Sequence, residues 1–504
     1  MKPVSSIFTC VARSGRCEVC AFAGGACGVR FTCCCVHRAQ RARHHRNKSK
    51  PAMTMHSSTT DHVGHAAQRL RDDAADATAE TEGRIAQAPQ RDVLPALLRD
   101  GYAFVSRHCD ALGSDAFQAR LALQQVVFAR GPDALATFYH PGRFTRVGAM
   151  PPTTLRLLQG RGSVQQLDGD AHLQRKRLFL SVLTPAETSR LVACFEEEWS
   201  RQADTWARSA HIILQEEAEH VLCRAACRWA GLHLRAQQSR PLARDLGAMI
   251  DGAGAFGPRW VRGWRGRRRV ERWVARAVRN VRRAGTAPEA SIAATVAWHR
   301  NADGVLLSVP TAVTELINLL RPIVAVARWI SFCALALHEH PPLRPRLRAG
   351  EPGLLQNTVQ EVRRFYPFFP LIGGRVRMPF VWRDRHFKQG DWMMVDLYGT
   401  NHHPAVWRDP ERFDPSRFEH WKGSRYDFVA QGGGSVERDH RCPGENPSIA
   451  LLMSALSLLA SSDYTLPPQD LRYPLNRFPT LPRSGVVLRD FIPPVSVGGV
   501  VQSA

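Results

Sequence analysis

The sequence predicts a mainly α protein with small β-sheets, folded as one large domain behind an N-terminal extension. Three observations predict it. Apolar residues recur at helical spacing over several long windows, short strand-like runs with turn residues between them cluster late in the chain, and a Gly-rich loop leads into an apolar helix. Helical periodicity covers Asp115–Val127, Pro185–Ala207, Ile213–Ala230, Glu315–His338, Gly353–Tyr366 and Pro447–Ala460. Strands are expected at Val376–Trp382, His386–Phe387 and Trp392–Asp396. The segment from Arg259 to Arg283 interleaves arginine with tryptophan and continues as a helix carrying Trp273, Val274 and Val278. Such interleaving can bind nucleic acid, but a solvated face over a core helix is the preferred reading. The most apolar window, Leu316–Leu337, is long enough to cross a bilayer, yet it contains Arg321, Pro322 and Arg328. A buried central helix is expected there instead of a transmembrane span.

The 504 residues carry a net charge of +23, which points to anionic partners. Much of that charge is local. Residues 1–55 hold ten Lys/Arg against one acid, Glu18, and residues 1–90 hold seven of the thirteen cysteines. Their spacing is irregular and no compact unit surrounds them, so zinc is not assigned. Three parts are expected: 1–90, an extension that is Cys-rich and basic and then polar; 91–495, the main domain; and 496–504, a tail. The extension is either disordered or, over residues 1–52, an artefact of start assignment with the true start at Met53 or Met55. The six later cysteines, scattered from Cys109 to Cys442, show no disulfide framework, so a reducing, cytoplasmic setting is expected.

Chemistry concentrates in the run Gln431-Gly-Gly-Gly-Ser-Val-Glu-Arg-Asp-His-Arg-Cys442-Pro-Gly-Glu445. A cysteine in a glycine-rich loop lets backbone N–H groups approach the sulfur, as a thiolate ligand to an iron porphyrin requires. Leu451, Leu452, Leu456 and Leu459 follow at helical spacing, and Pro447 costs little in a first turn. Three other segments fit the same site. Glu361 and Arg364 share one helix face; Arg417, in Asp414-Pro-Ser-Arg417-Phe418, is placed to complete a network with them; His172 and Lys176, one turn apart, suit haem propionates.

Glu-x-x-Arg, then Pro-x-Arg-Phe, then the cysteine loop, in that order, resembles a cytochrome P-450. An oxygen-activating member usually carries an acid-alcohol pair in its central helix. Here that helix reads Glu315-Leu-Ile-Asn-Leu-Leu-Arg321-Pro322, which resembles the fatty-acid peroxygenase branch of the family. The resemblance implies haem b with Cys442 as proximal ligand, and Arg146, His172, Lys176, His440 and Gly434 around the cofactor. It implies a substrate site formed by Arg321, Gln165, Leu158, Phe368, Phe369 and Ala325.

The Arg-Pro pair also makes sense on its own. A buried arginine needs an anion, and proline bends the helix to open space for one. The expected anion is a medium- to long-chain fatty-acid carboxylate; protein carbonyls or a buried glutamate are the competing partners. Held by Arg321, that carboxylate would act as acid and base in O–O cleavage of hydrogen peroxide, with hydroxylation at Cα or Cβ. Gln165 stands where decarboxylating relatives carry histidine, so terminal-alkene formation is expected to be minor. No obligate redox partner and no nucleic acid are expected. Two alternatives remain: an oxygen-dependent monooxygenase fed by redox partners, and a non-catalytic haem-binding or basic membrane- or nucleic-acid-binding protein.

Overall fold

The computed structural model describes residues 84–160 and 162–494. Residues 1–83 and 495–504, and with them nearly all of the expected extension and tail, lie outside the described residues. The fold reaches further back than the expected boundary at 91. Ala86 and Gln87 already pair, in parallel, with Phe117 and Gln118.

Helices build most of the domain around a central helix, Val309–Ala325, continued by Ala327–Glu339. Ser308 caps its start by accepting from the Thr311 N–H at 3.2 Å. Buried residues occupy nearly every face of both segments, as an interior helix requires. This 31-residue stretch is long and apolar enough to cross a membrane, but 94% of its apolar window is buried inside the protein. The bend expected at Pro322 is displaced. Regular helix continues to Ala325 and lapses at Val326, whose N–H reaches Ile323 O at 3.1 Å instead of the carbonyl four back.

Around this axis pack Pro185–Trp206, Leu214–Trp229, Ala236–Asp251 and Pro258–Ala284, with Leu354–Phe365 and Glu445–Ser461 on the side of the cysteine loop. The arginine-rich segment is the helix Pro258–Ala284, and it buries Gly263, Gly266, Val270, Val274 and Val278. A side chain at Gly263 would meet Ala248 O at 2.7 Å, and one at Gly266 would meet Asp245 O at 2.9 Å. Glycine there allows close packing on Ala236–Asp251.

One expected helix is overturned. Asp115–Val127 forms two antiparallel strands, Ala116–Leu121 and Gln124–Ala129. Alanine, leucine, glutamine and arginine favour helix, and the turn Ala122-Leu123 lacks the usual glycine or asparagine although both residues have positive φ, 48° and 67°. The alternation of buried Phe117, Ala119 and Leu121 was the opposing signal. The hairpin belongs to a six-stranded sheet ordered Ala86–Gln87, Ala116–Leu121, Gln124–Ala129, Trp392–Asp396, Leu371–Val376, Phe144–Thr145. The expected strand Val376–Trp382 is divided between Leu371–Val376 and Phe380–Trp382, the latter pairing with Arg385–Phe387 in its own small sheet.

Candidate active site

Cys442 lies just before the helix Glu445–Ser461, whose N-cap is Gly444. Its N–H donates to Gln431 O at 3.1 Å, which closes the loop on itself. The residue is half-buried, and its sulfur receives Gln431 Nε2 at 3.6 Å. Burial pushes the Cys442 thiol up, while the Gly444 N–H, the Lys176 charge and Gln431 pull it down. Gly434 has a φ of 79°, and a side chain there would meet Asp439 Oδ2 at 2.5 Å and the Tyr139 ring at 3.0 Å. Only glycine fits that approach.

The loop is held from behind by charges that the sequence reasoning missed. Glu445 accepts from Arg441 Nε at 2.7 Å and from Arg363 at 2.5 Å, and Arg363 also donates to Gln431 Oε1 at 3.1 Å. Arg363 adjoins Arg364, which sits in the second network. Arg364 forms a fork with Glu361, at 2.7 and 2.8 Å, and Arg417 Nε reaches the same carboxylate at 3.2 Å. Glu361 and Arg364 are both fully buried.

Beside the loop stands a basic cluster. Lys176 Nζ donates to Asp439 O and Arg441 O at 2.6 and 2.5 Å. Arg146 donates to Gly373 O at 3.0 Å and lies 4.0 Å from the Phe138 ring centre. The rings of His172 and His440 are 4.0 Å apart. Burial pulls Lys176 down to about 8 and His172 to about 4, and it lowers His440 and Arg146 as well. Among the described residues none of the four is ion-paired to a carboxylate. A half-buried cysteine, a loop that excludes side chains and a basic cluster without acid partners together fit a haem bearing two propionates.

Arg321 projects from the central helix. Its Nε has no partner, and among the described residues it forms no ion pair. Burial, then Arg267, pull it down to about 9, while the Cys442 charge pushes it up. The competing carboxylate is already engaged. Glu315 is the one acid in Val309–Ala325, and it accepts from Arg175 at 2.6 Å, from the Val164 N–H at 2.9 Å and from Asn318 at 3.0 Å. Asn318 links this acid to Gln165, donating to its Oε1 at 3.4 Å, and its own buried Oδ1 has no partner. Two orphaned polar atoms thus sit three residues apart on one helix, and the Asn318 side chain also reaches Gln165. Asn318 had only its place in the central helix to mark it.

The remaining expected substrate residues fall on several elements. Ala325 is buried one turn beyond Arg321, and Leu158 is buried in the π-helical turn Leu155–Gln159. Arg267 donates to Leu157 O at 3.2 Å and so braces that turn. Phe368 stacks on Trp329 with ring centres 3.9 Å apart, and its carbonyl accepts from Tyr102 at 2.7 Å. Phe369 packs instead among the sheet-side apolar residues, with Val395 and Ile372.

The family model for cytochrome P450 matches residues 353–460. Cytochrome P450SP alpha (CYP152B1), solved in complex with (R)-ibuprophen, is 39% identical and superposes with a TM-score of 0.78, covering 80% of this chain and 99% of that one. Cytochrome P450EX alpha (CYP152N1), solved with myristic acid, is 36% identical at the same TM-score, covering 81% and 99%. Cytochrome P450 4A7 of Oryctolagus cuniculus is 29% identical over 183 residues, and the chain spans only about a third, 35%, of that curated relative. With the fold, the cysteine loop and these likenesses together, the chain belongs to the cytochrome P450 family, in its fatty-acid peroxygenase branch, and is an oxidoreductase.

Proposed function

We propose that the protein hydroxylates medium- to long-chain fatty acids at Cα or Cβ with hydrogen peroxide, and that Arg321 holds the substrate carboxylate. The observation that carries this reading is a half-buried guanidinium whose buried Nε has no partner, on a helix whose single acid is committed elsewhere. A solved structure of a relative with myristic acid supports the substrate class.

Haem b, held through Cys442 and flanked by Arg146, His172, Lys176, His440 and Gly434, supplies when bound the iron at which peroxide is used. The rest falls to the chain. Arg321 offers a planar fork to the carboxylate, and a charge-assisted pair in a dry site is strong. The carboxylate so held moves a proton between the peroxide oxygens, a task that no free acid of Val309–Ala325 can take. Anchoring the head group also presents Cα and Cβ, and not the chain end, to the oxidant. Pro322 withholds an N–H from the turn beside Arg321, and Gln165, through Asn318, adds an amide on the same side. Leu158, Ala325, Phe368 and Phe369 would line the acyl path. Hydroxylation with minor alkene formation is the outcome assigned to Gln165. The six cysteines among the described residues are free, which supports a cytoplasmic setting.

The test is peroxide-driven turnover of an alkanoic acid and of its alcohol analogue, without reductase. The acid is expected to react and the alcohol to react poorly. Equal rates would sink the substrate-assisted mechanism and favour an oxygen-dependent monooxygenase. Cys442→Ser is expected to abolish the thiolate-type spectrum of the reduced carbon monoxide complex; a variant that kept it would remove Cys442 as the ligand.

A further inference from the structure

We infer that the outward face of the helix Pro258–Ala284 is a docking surface for an anionic phospholipid bilayer. The helix has 27 residues, about 40 Å of length, with one acid, Glu271. Its inward and flanking arginines are used by the protein: Arg259 pairs with Asp251, Arg267 with Glu271 and Arg269 with Asp245, while Arg282 donates to backbone carbonyls. Six others are not. Arg262, Arg265, Arg268, Arg272, Arg276 and Arg279 are exposed, and none has a carboxylate partner among the described residues.

Their spacing is three or four residues throughout. At 100° per residue they fall within one arc of about 120°, opposite the buried Gly263, Val270, Val274 and Val278. Six unpaired cations in a straight row are costly to assemble through mutual repulsion, and nothing in the domain neutralises them. A flat anionic sheet meets all six at once. At the N-terminal end of the row two large apolar side chains are exposed, Phe256 at 66% and Trp264 at 38%, and the Arg268 guanidinium lies 5.8 Å from the Trp264 ring centre. Aromatic groups beside a cationic stripe suit the headgroup region, where an amphipathic ring has one end apolar and one end wet.

The choice of a bilayer over nucleic acid rests in part on the fatty-acid reading above. The same helix turns Arg267 inward to the Leu155–Gln159 turn, so docking would set the substrate path beside a store of acyl chains. The binding itself needs no turnover, so its test is independent.

Full-chain holoenzyme is sedimented with vesicles of phosphatidylcholine alone and of equal parts phosphatidylcholine and phosphatidylglycerol. Binding is expected to the anionic vesicles only, and to be released by 0.5 M salt. Each cation near an anionic leaflet strengthens partition by roughly fivefold. The triple change Arg265→Glu, Arg272→Glu and Arg276→Glu is therefore expected to weaken partition by about a hundredfold or more. The milder Arg→Gln set at the same positions is expected to fall between, with haem content and turnover of a dispersed fatty acid unchanged in both. The inference is overturned if both variants bind as the wild type does, since the basic residues before position 56 would then carry the binding. Equal binding to neutral vesicles also overturns it, as does duplex DNA displacing the protein from vesicles at equal phosphate. Loss of fatty-acid turnover with vesicle binding intact would count against the proposed function and leave this inference standing.

Discussion

Arg364 and Arg321 are both arginines inside the domain, and they are treated oppositely. All five N–H groups of Arg364 are used, by the Glu361 fork and by the carbonyls of Asn401, Pro410 and Arg412 at 2.9–3.3 Å. Arg321 makes no such bonds to the described residues and has an orphaned Nε, and the Arg267 charge opposes its own. A buried charge that the fold needs is closed off by the fold; one left open is paired by something else. Arg328, two turns beyond Arg321 on the same apolar stretch, is an intermediate case, lying 3.3 Å from Asp251 and 3.9 Å from Glu219.

The contrast can be broken by experiment. The largest effect is expected at the closed site. Glu361→Ala strands Arg364 and Arg417, and is expected to cost about 3–5 kcal/mol in denaturant unfolding, with haem lost alongside. An unchanged unfolding midpoint would show that the closed network is not structural. At the open site stability should hold while activity falls. Arg321→Ala is expected to lower peroxide-driven turnover of a fatty acid by about thirty- to several-thousand-fold, or roughly 2–5 kcal/mol, at near wild-type stability. Arg321→Lys should recover only part, since an ammonium lacks the fork. If Arg321→Ala unfolds the protein but spares turnover in the folded fraction, the two arginines are of one kind.

The intermediate site has a pH signature. Burial raises Glu219 to about 7, with Arg328 opposing. A carboxyl raised in the folded state favours folding least when ionised. Its penalty is therefore absent below about pH 4.5, grows as pH rises towards 7 and is constant above. Glu219→Gln is expected to stabilise the protein by about 1–3 kcal/mol at pH 8 and by nothing at pH 4. A pH-independent difference between the two proteins would reject the assignment. The smallest effect is expected at Gln165, whose one side-chain hydrogen bond among the described residues is the 3.4 Å approach of Asn318. Gln165→Ala is expected to cost about 1 kcal/mol in kcat/KM and to shift the ratio of α- to β-hydroxylated product, measured by mass spectrometry. An unchanged ratio would remove Gln165 from the site.

Much of the local geometry was legible in the chain, because the residues around Cys442 and Glu361 sit in local patterns. Glu361 and Arg364 share a turn, and Cys442 lies among glycines. Arg321 was legible because arginine is out of place among Leu, Ile and Val. What stayed hidden depends on contacts far apart in sequence. Glu315 engages Arg175 across 140 positions and Arg363 engages Glu445 across 82, and neither pair has a local pattern. The hairpin at 116–129 was misread because its residues favour helix one by one, while its pairing with Trp392–Asp396 decides the outcome. The helical arginine block was legible as a helix; which of its arginines lacked partners required the neighbouring helices.

Glu315 joins three parts of the chain that are distant in sequence: the backbone at Val164, the helix Gly169–Val182 through Arg175, and the helix that carries Arg321. The loop at residue 164 and the helix that carries Arg321 are therefore fastened through residues 164, 175 and 315, and the side chain at 165 adds only its 3.4 Å approach to Asn318. A change at 165 is for that reason expected to leave the fastening, and the position of Arg321, as they were.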